Sequence, residues 1–281
     1  MSLLITFYEG SQPDHRGRYL SDILEWDANK LESAHDYIQI VFPLPEESGV
    51  QWNAPTINRQ VFDAFRARPE LRQRLKESFR KILWFYGFVL VEREDGIEVG
   101  RGANWDSHYA HWDARFDHNH LRITRIIRCL RVLGLEDEAL AFYDALEQSA
   151  CLVSSRSREY WRRAAKRTLN LRPDLEYGQI DGDDDLSVGP KFLREFEELR
   201  KQIAEARTAD GSLDATAATN TVTGDDAIEK KDRTGTEKVK VGETNVKGTD
   251  NADSAVKRAS GENVDGVGTG PRVGDGHGGP K

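Results

Sequence analysis

Residues 69–87, PELRQRLKESFRKILWFYG, run directly into residues 88–102, FVLVEREDGIEVGRG, and these two stretches decide how the rest of the chain is read. Pro69 suits the first position of a helix, where its missing N–H costs nothing. Leu71, Leu75, Phe79, Ile82, Leu83 and Tyr86 then recur at the three/four spacing that lines one face of a helix. Gly87 is a natural stop, because glycine takes the positive φ of a helix C-terminus without strain. The runs that follow have strand character and flank Asp95-Gly96, a dipeptide suited to a tight hairpin. No other stretch has a strand pattern, so the fold expected is all-α with one small β-hairpin.

Toward the N-terminus, a loop, SQPDHRGR, leads to a short helix over about 19–26 and a second over about 29–41. In the second, Leu31, Ala34, Tyr37, Ile38 and Val41 share a face, and Pro43 and Pro45 end it. After the proline-rich loop FPLPEESGVQWNAP, Thr56 is expected to cap a helix reaching about Ala67, with Ile57, Val61, Ala64 and Phe65 inward. Toward the C-terminus, residues 102–116 read as a Trp/His-rich loop, after which Asp117 or Asn119 caps a helix containing HLRITRIIRCLRVLG, with Gly134 at its end. Helices over about 136–153 and 156–169 follow. Pro190 opens a last helix to Arg207 whose Phe192, Phe196, Leu199 and Ile203 form an apolar stripe.

Composition divides the 281 residues unevenly. All 25 aromatic residues lie at or before Phe196, whereas residues 208–281 hold one Leu, one Ile and 13 of the 24 glycines. Such a segment cannot bury enough apolar surface to offset its ordering entropy. The expected organisation is therefore a folded domain over 1–207 and a low-complexity, disordered tail over 208–281. The longest nearly apolar run, ILWFYGFVLV at 82–91, is about half of what spans a bilayer, so no transmembrane helix is expected. No cationic start followed by an apolar stretch opens the chain, which argues against a signal peptide and for an intracellular, reducing compartment. Cys129 and Cys151 make neither a disulfide framework nor a zinc cluster. The net charge of −8 argues against general nucleic-acid binding.

Four blocks, in order, are similar to the opioid growth factor receptor conserved-region family. HDYIQIVFPL at 35–44 resembles its HxYIQWxFPL signature, with Ile40 in place of the usual Trp, and FYGFVL at 85–90 matches the ending of its long helix. HNHLRITRIIRCLRVLGL at 118–135 resembles HNNLRITRILKSLGxLGL, with His120 departing from Asn, and SSRSREYWRRA at 154–164 is similar to its late Ser/Arg/aromatic helix. The resemblance covers roughly residues 5–170. It implies a non-enzymatic receptor for an enkephalin-type peptide, found in the cytoplasm or around and in the nucleus, with peripheral membrane association and no cofactor. Such a peptide offers a free amine, aromatic rings and a terminal carboxylate, so its site needs an acid, an apolar pocket and a basic fork. The family-matched residues that would line or support it are His35, Gln39, His118, Asn119, Arg122 and Arg125, while Tyr37 and Ile38 read as core.

Several constellations carry more than one reading. Arg122, Arg125, Arg128 and Arg131 repeat every three residues, drifting about 60° per step, and read as a solvated face opposite Leu121, Ile126, Ile127 and Leu130. For Arg122 and Arg125 the alternative is anion binding or a buried ion pair, since a guanidinium fork suits a carboxylate or phosphate. The basic block 156–172, interleaved with Tyr160 and Trp161, reads as structural or surface charge. An acidic protein partner or nucleic acid is its alternative, and the acidic connector IDGDDDL at 180–186 is available to fold back on it. That connector is not a calcium loop, because Leu186 and Phe192 stand where Gly and Glu are required. Four of the seven histidines, His108, His111, His118 and His120, crowd together without H-E-x-x-H or a Cys partner, so no metal is expected. No G-x-S-x-G, P-loop or dinucleotide fingerprint is present, which argues against an enzyme.

Overall fold

The structure is a computed structural model and describes residues 2–47, 54–175 and 185–217, with side chains to residue 208. Contacts divide the chain into Met1–Val222 and Thr223–Lys281. The second unit, like residues 218–222, lies outside the described residues, and with it falls nearly all of the segment expected to be disordered.

The described part of the first unit is all-α with one hairpin, as expected. In chain order its elements are α1 (Leu3–Tyr8), α2 (Leu20–Leu24), α3 (Ala28–Ser33), α4 (Ile38–Val41), α5 (Arg59–Ala67), α6 (Pro69–Tyr86), β1 (Phe88–Arg93), β2 (Gly96–Arg101), α7 (Trp105–His108), a 3-10 turn (Tyr109–His111), α8 (Asn119–Val132), α9 (Glu136–Ser149), α10 (Ser155–Lys166) and α11 (Lys191–Ala217). Pro69 opens α6, and its predicted inward residues, with Phe85, are buried. Gly87, at φ 86°, ends it and accepts the Gly102 N–H at 2.7 Å. β1 and β2 pair antiparallel from Phe88 opposite Arg101 to Arg93 opposite Gly96. The two-residue turn is thus Glu94-Asp95, one position before the expected dipeptide, with Gly96 as the first residue of β2.

The core lies between α6, α8 and α9. Phe79, Tyr86 and Phe88 pack around Phe142, and Trp112 stacks on Phe88 while its indole N–H donates to the Tyr86 carbonyl at 3.0 Å. On the opposite side Tyr8 sets its ring edge-on to Phe65 at 4.9 Å, with its hydroxyl donating to the Val41 carbonyl. Among the described residues no helix is long and apolar enough to cross a membrane.

Several local expectations are corrected. The segment expected as one helix over 29–41 is broken at Ala34, which is extended, into α3 and α4. Long-range partners hold the break open, because Arg18 and Arg16 engage Asp36 while Arg122 takes the carbonyls at the end of α3. Asn58, not Thr56, caps α5 by accepting the Val61 N–H, since Ile57 is tied back to the Leu44 carbonyl. The loop over 102–116 contains α7 and the 3-10 turn. At the start of α8, Asp117 accepts the Asn119 N–H at 2.7 Å and leaves the Asn119 side chain free to turn inward. The last helix continues to Ala217, ten residues past its expected end. Its Phe192 and Phe196 pack on Phe62, whereas Leu199 and Ile203 remain exposed.

Candidate functional site

The arginine row on α8 is not a solvated face. Arg122, Arg128 and Arg131 are buried and Arg125 is half-buried. The 60° drift between successive arginines sends the four tips to four neighbours, and each ends on main-chain carbonyls. Arg122 reaches Leu31, Glu32 and Ala34 at 3.1, 3.3 and 2.9 Å. Arg125 reaches Phe42 at 3.2 Å, at the end of α4. Arg128 reaches Leu171 at 2.8 Å and pairs with the Glu46 carboxylate, and Arg131 reaches Ala164 and Arg167 at 3.0 and 2.7 Å. The last carbonyls of a helix have no partner within it, and a planar guanidinium supplies several donors at once. Burial draws the pKa of Arg131 down to about 10, far enough above neutrality that it stays a cation.

Around Arg122 the structure assembles four of the six candidate residues. Arg122 also donates to Asn119 Oδ1 at 3.2 Å and to His35 Nδ1 at 3.0 Å. Asn119 is fully buried: its Oδ1 accepts from the Tyr86 hydroxyl, and its Nδ2 donates to the His111 carbonyl and to Glu32 Oε2 at 3.1 Å. His118 Nε2 lies 3.3 Å from Glu32 Oε1, and its ring meets the His35 ring edge-on at 5.5 Å. The two remaining candidates lie apart, Gln39 buried on α4 and Arg125 at the Phe42 carbonyl.

Glu32 is the centre of this cluster and carries no signal in the sequence. Its side chain is 34 % exposed, Arg122 Nη1 stands 4.0 Å below it and His111 Nδ1 3.9 Å to one side. Beneath it Tyr37 is buried with a hydroxyl that lacks a hydrogen-bond partner among the described residues. Burial pushes the Tyr37 pKa up to about 12, with the Arg122 cation acting the other way. From His111 a row of rings continues over the surface: His111 to His108 at 5.5 Å, then His108 to Trp84 at 5.0 Å. His111 stacks on Phe85, and burial holds its pKa below the ordinary histidine value. Among the described residues no three His, Cys, Asp or Glu side chains are placed to hold a metal ion.

The second basic block is divided: Arg163 and Arg167 turn inward, while Arg156, Lys166 and Arg172 stay exposed. Glu159 takes hydrogen bonds from Arg162 and Arg163, which hold its carboxyl down near pKa 2. Arg158 pairs with Glu147, and Arg163 and Arg167 donate to the Leu175 carbonyl. The acidic connector expected to fold back here, residues 180–186, lies outside the described residues apart from Asp185 and Leu186. His120, at the position where it departs from Asn, ties α8 to its neighbours. Nε2 donates to the Trp112 carbonyl at 2.8 Å, which leaves Nδ1 to accept from the Ser157 hydroxyl at 2.9 Å.

Comparison with known proteins follows this geometry. The profile of the opioid growth factor receptor (OGFr) conserved region matches residues 3–159. The opioid growth factor receptor of Rattus norvegicus is 39 % identical over 138 residues, 47 % of this chain and 23 % of that protein. That of Homo sapiens is 40 % identical over 123 residues, 43 % of this chain and 18 % of its own length. The opioid growth factor receptor-like protein 1 of Mus musculus is 33 % identical over 138 residues, 47 % of this chain and 28 % of that protein. The chain thus spans well under a third of the length of the curated relatives it matches. No solved structure matches it.

Proposed function

Because the chain belongs to the opioid growth factor receptor conserved-region family, we propose that its helical domain is a non-enzymatic receptor module, working in the cytoplasm or nucleus, that binds a short opioid-type peptide by its free amine. The observation that carries this reading is the part-exposed Glu32 carboxylate, set among the imidazoles of His111 and His118 and beside His35. A protonated amine placed there gains a charge-assisted hydrogen bond, stronger than a neutral one. His35 and His118 line the site, and Asn119 and Arg122 hold Glu32 and the end of α3 in place. Arg122 is a support in this reading and not the basic fork, because its donors are already engaged by the protein. The relatives are named receptors, which supports a binding role over a catalytic one. The alternative, an acidic partner or nucleic acid on the Arg-rich helices, draws less support on α8, whose guanidinium groups point at carbonyls inside the fold.

The test is a fluorescence-anisotropy titration of Met-enkephalin, labelled at its C-terminus so that the amine stays free, with the full chain. Saturation at or below about 10 μM, worth roughly 7 kcal/mol, is expected, with loss of binding for the N-acetylated peptide and for Glu32→Gln. Flat anisotropy to high protein concentration, or equal binding of the acetylated peptide, would sink the reading.

A further inference from the structure

His118 stands between two carboxylates. Its Nε2 lies 3.3 Å from Glu32 Oε1 and its Nδ1 lies 3.4 Å from Asp117 Oδ1. A neutral imidazole carries one N–H and can serve only one of them, whereas an imidazolium carries two and serves both. Other bonds fix the two carboxylates where they are. Asp117 accepts the Asn119 N–H at 2.7 Å, and Glu32 Oε2 takes the Asn119 side-chain amide at 3.1 Å. The His118 side chain is 43 % exposed, so a proton reaches it from solvent without any movement of the fold.

The other titratable and charged groups around Glu32 do not take that place. From the link between α3 and α4, His35 accepts from Arg122 through Nδ1 at 3.0 Å, so a proton on that nitrogen would set two donors against each other. From the 3-10 turn, His111 Nδ1 is 3.9 Å from Glu32, and burial, with His108 beside it, holds its pKa down against the pull of Glu32 and Asp117. From α8, Arg122 Nη1 is 4.0 Å from Glu32, but a guanidinium stays a cation throughout and this one directs its donors to the carbonyls of Leu31, Glu32 and Ala34. Tyr37 and Tyr86, beneath, are phenols that burial keeps neutral.

We infer that His118 is a proton switch on the amine site: on acidification its imidazolium takes the Glu32 carboxylate, and an amine bound there is released. This rests on the proposed binding of a peptide amine at Glu32 and adds to it a control that the peptide does not itself supply. Histidine changes charge between about pH 5 and 8, whereas an α-amine, with a pKa of about 8, only gains protons as pH falls through that range. Without the switch, affinity would rise on acidification. With it, affinity falls, because the proton on His118 and the ammonium of the ligand compete for one carboxylate. Binding at acid pH therefore returns the His118 proton to solvent, and acidification drives the exchange backwards.

The test is the anisotropy titration of Met-enkephalin, labelled at its C-terminus with a pH-insensitive dye, with the full chain at pH 7.5, 6.5 and 5.5. Circular dichroism at each pH first establishes that the protein is folded. The unsubstituted chain should bind about tenfold more weakly at pH 5.5 than at pH 7.5. His118→Phe and His118→Gln, which cannot take up the proton, should each change less than about twofold across the range, while His111→Phe keeps the fall. Unchanged or tighter binding of the unsubstituted chain at pH 5.5 overturns the switch and leaves the amine site standing, as does a fall that survives both His118 substitutions. Loss of binding at pH 7.5 in both variants also overturns it, since His118 would then hold the peptide instead of competing with it. Absence of binding at every pH overturns the amine site and this inference together.

Discussion

The guanidinium of Arg131 donates to the main-chain carbonyl of Arg167 at 2.7 Å, so an arginine on α8 closes the end of the helix that carries another. The same group also takes the Ala164 carbonyl. Arg131→Met keeps much of the apolar stem but strands both carbonyls in a buried setting. Leaving buried acceptors unpaired costs about 1–3 kcal/mol each, with incomplete additivity, so a loss of roughly 2–4 kcal/mol is expected in urea unfolding followed by circular dichroism. Arg131→Lys should recover only part, because an ammonium lacks the planar fork.

Arg122 and Glu32 should part company when substituted. Arg122→Ala removes the donor shared by Leu31, Glu32, Ala34, Asn119 and His35 and should lower stability by roughly 3 kcal/mol. Glu32→Gln, at a part-exposed site, should cost less than about 1 kcal/mol while abolishing peptide binding. Thermal melts and titrations of both variants check the pair. A stable Arg122→Ala would return the guanidinium to the role of ligand fork.

Stability should fall on mild acidification in part through His111. Burial holds its folded-state pKa below the ordinary value of 6.5, so the unfolded chain binds the proton first as pH falls. The contribution is fully present above about pH 6.5 and is lost as pH drops below that value. His111→Phe keeps an aromatic ring on Phe85 and cannot titrate. Melting temperatures measured from pH 8 to pH 5 should therefore decline less steeply for the variant than for the unsubstituted chain.

Gly87→Ala tests the junction between helix and hairpin. Residue 87 has φ 86°, and a Cβ there would stand 3.1 Å from the Trp105 Cα. Left-handed strain and the close approach together should cost about 1–3 kcal/mol. Because Trp105 opens α7, whose His108 packs on His111 beside Glu32, peptide affinity should drop as well. Both are read from one preparation, by melting and by titration.

What could be read from the sequence follows from how local its causes are. Pro69, the apolar spacing of α6, Gly87 and the hairpin act over a few residues, and they stand in the structure nearly as read. The break between α3 and α4 escaped because its cause is Arg122, 88 residues from Ala34, and periodicity carries no information about so distant a partner. The same holds for the arginine row, whose three-residue spacing suits a solvated face and a buried one equally. His35, His118, Asn119 and Arg122 were reached through the family pattern and do come together. Glu32 was not, since it lies in a short helix hidden within a longer apparent period, among many ordinary surface charges.

The carbonyl-directed arginines bear on the order in which the chain can assemble. α3 and α10 are six and twelve residues long, too short to persist alone in water, and their terminal carbonyls find donors only once α8 has docked. Nucleation of either segment is thus deferred to a late, long-range event, and neither can fray without loosening the other through their common helix. Hydrogen exchange at the last turns of α3 and α10 should accordingly occur through one shared opening, with a common free energy, instead of through two independent ones.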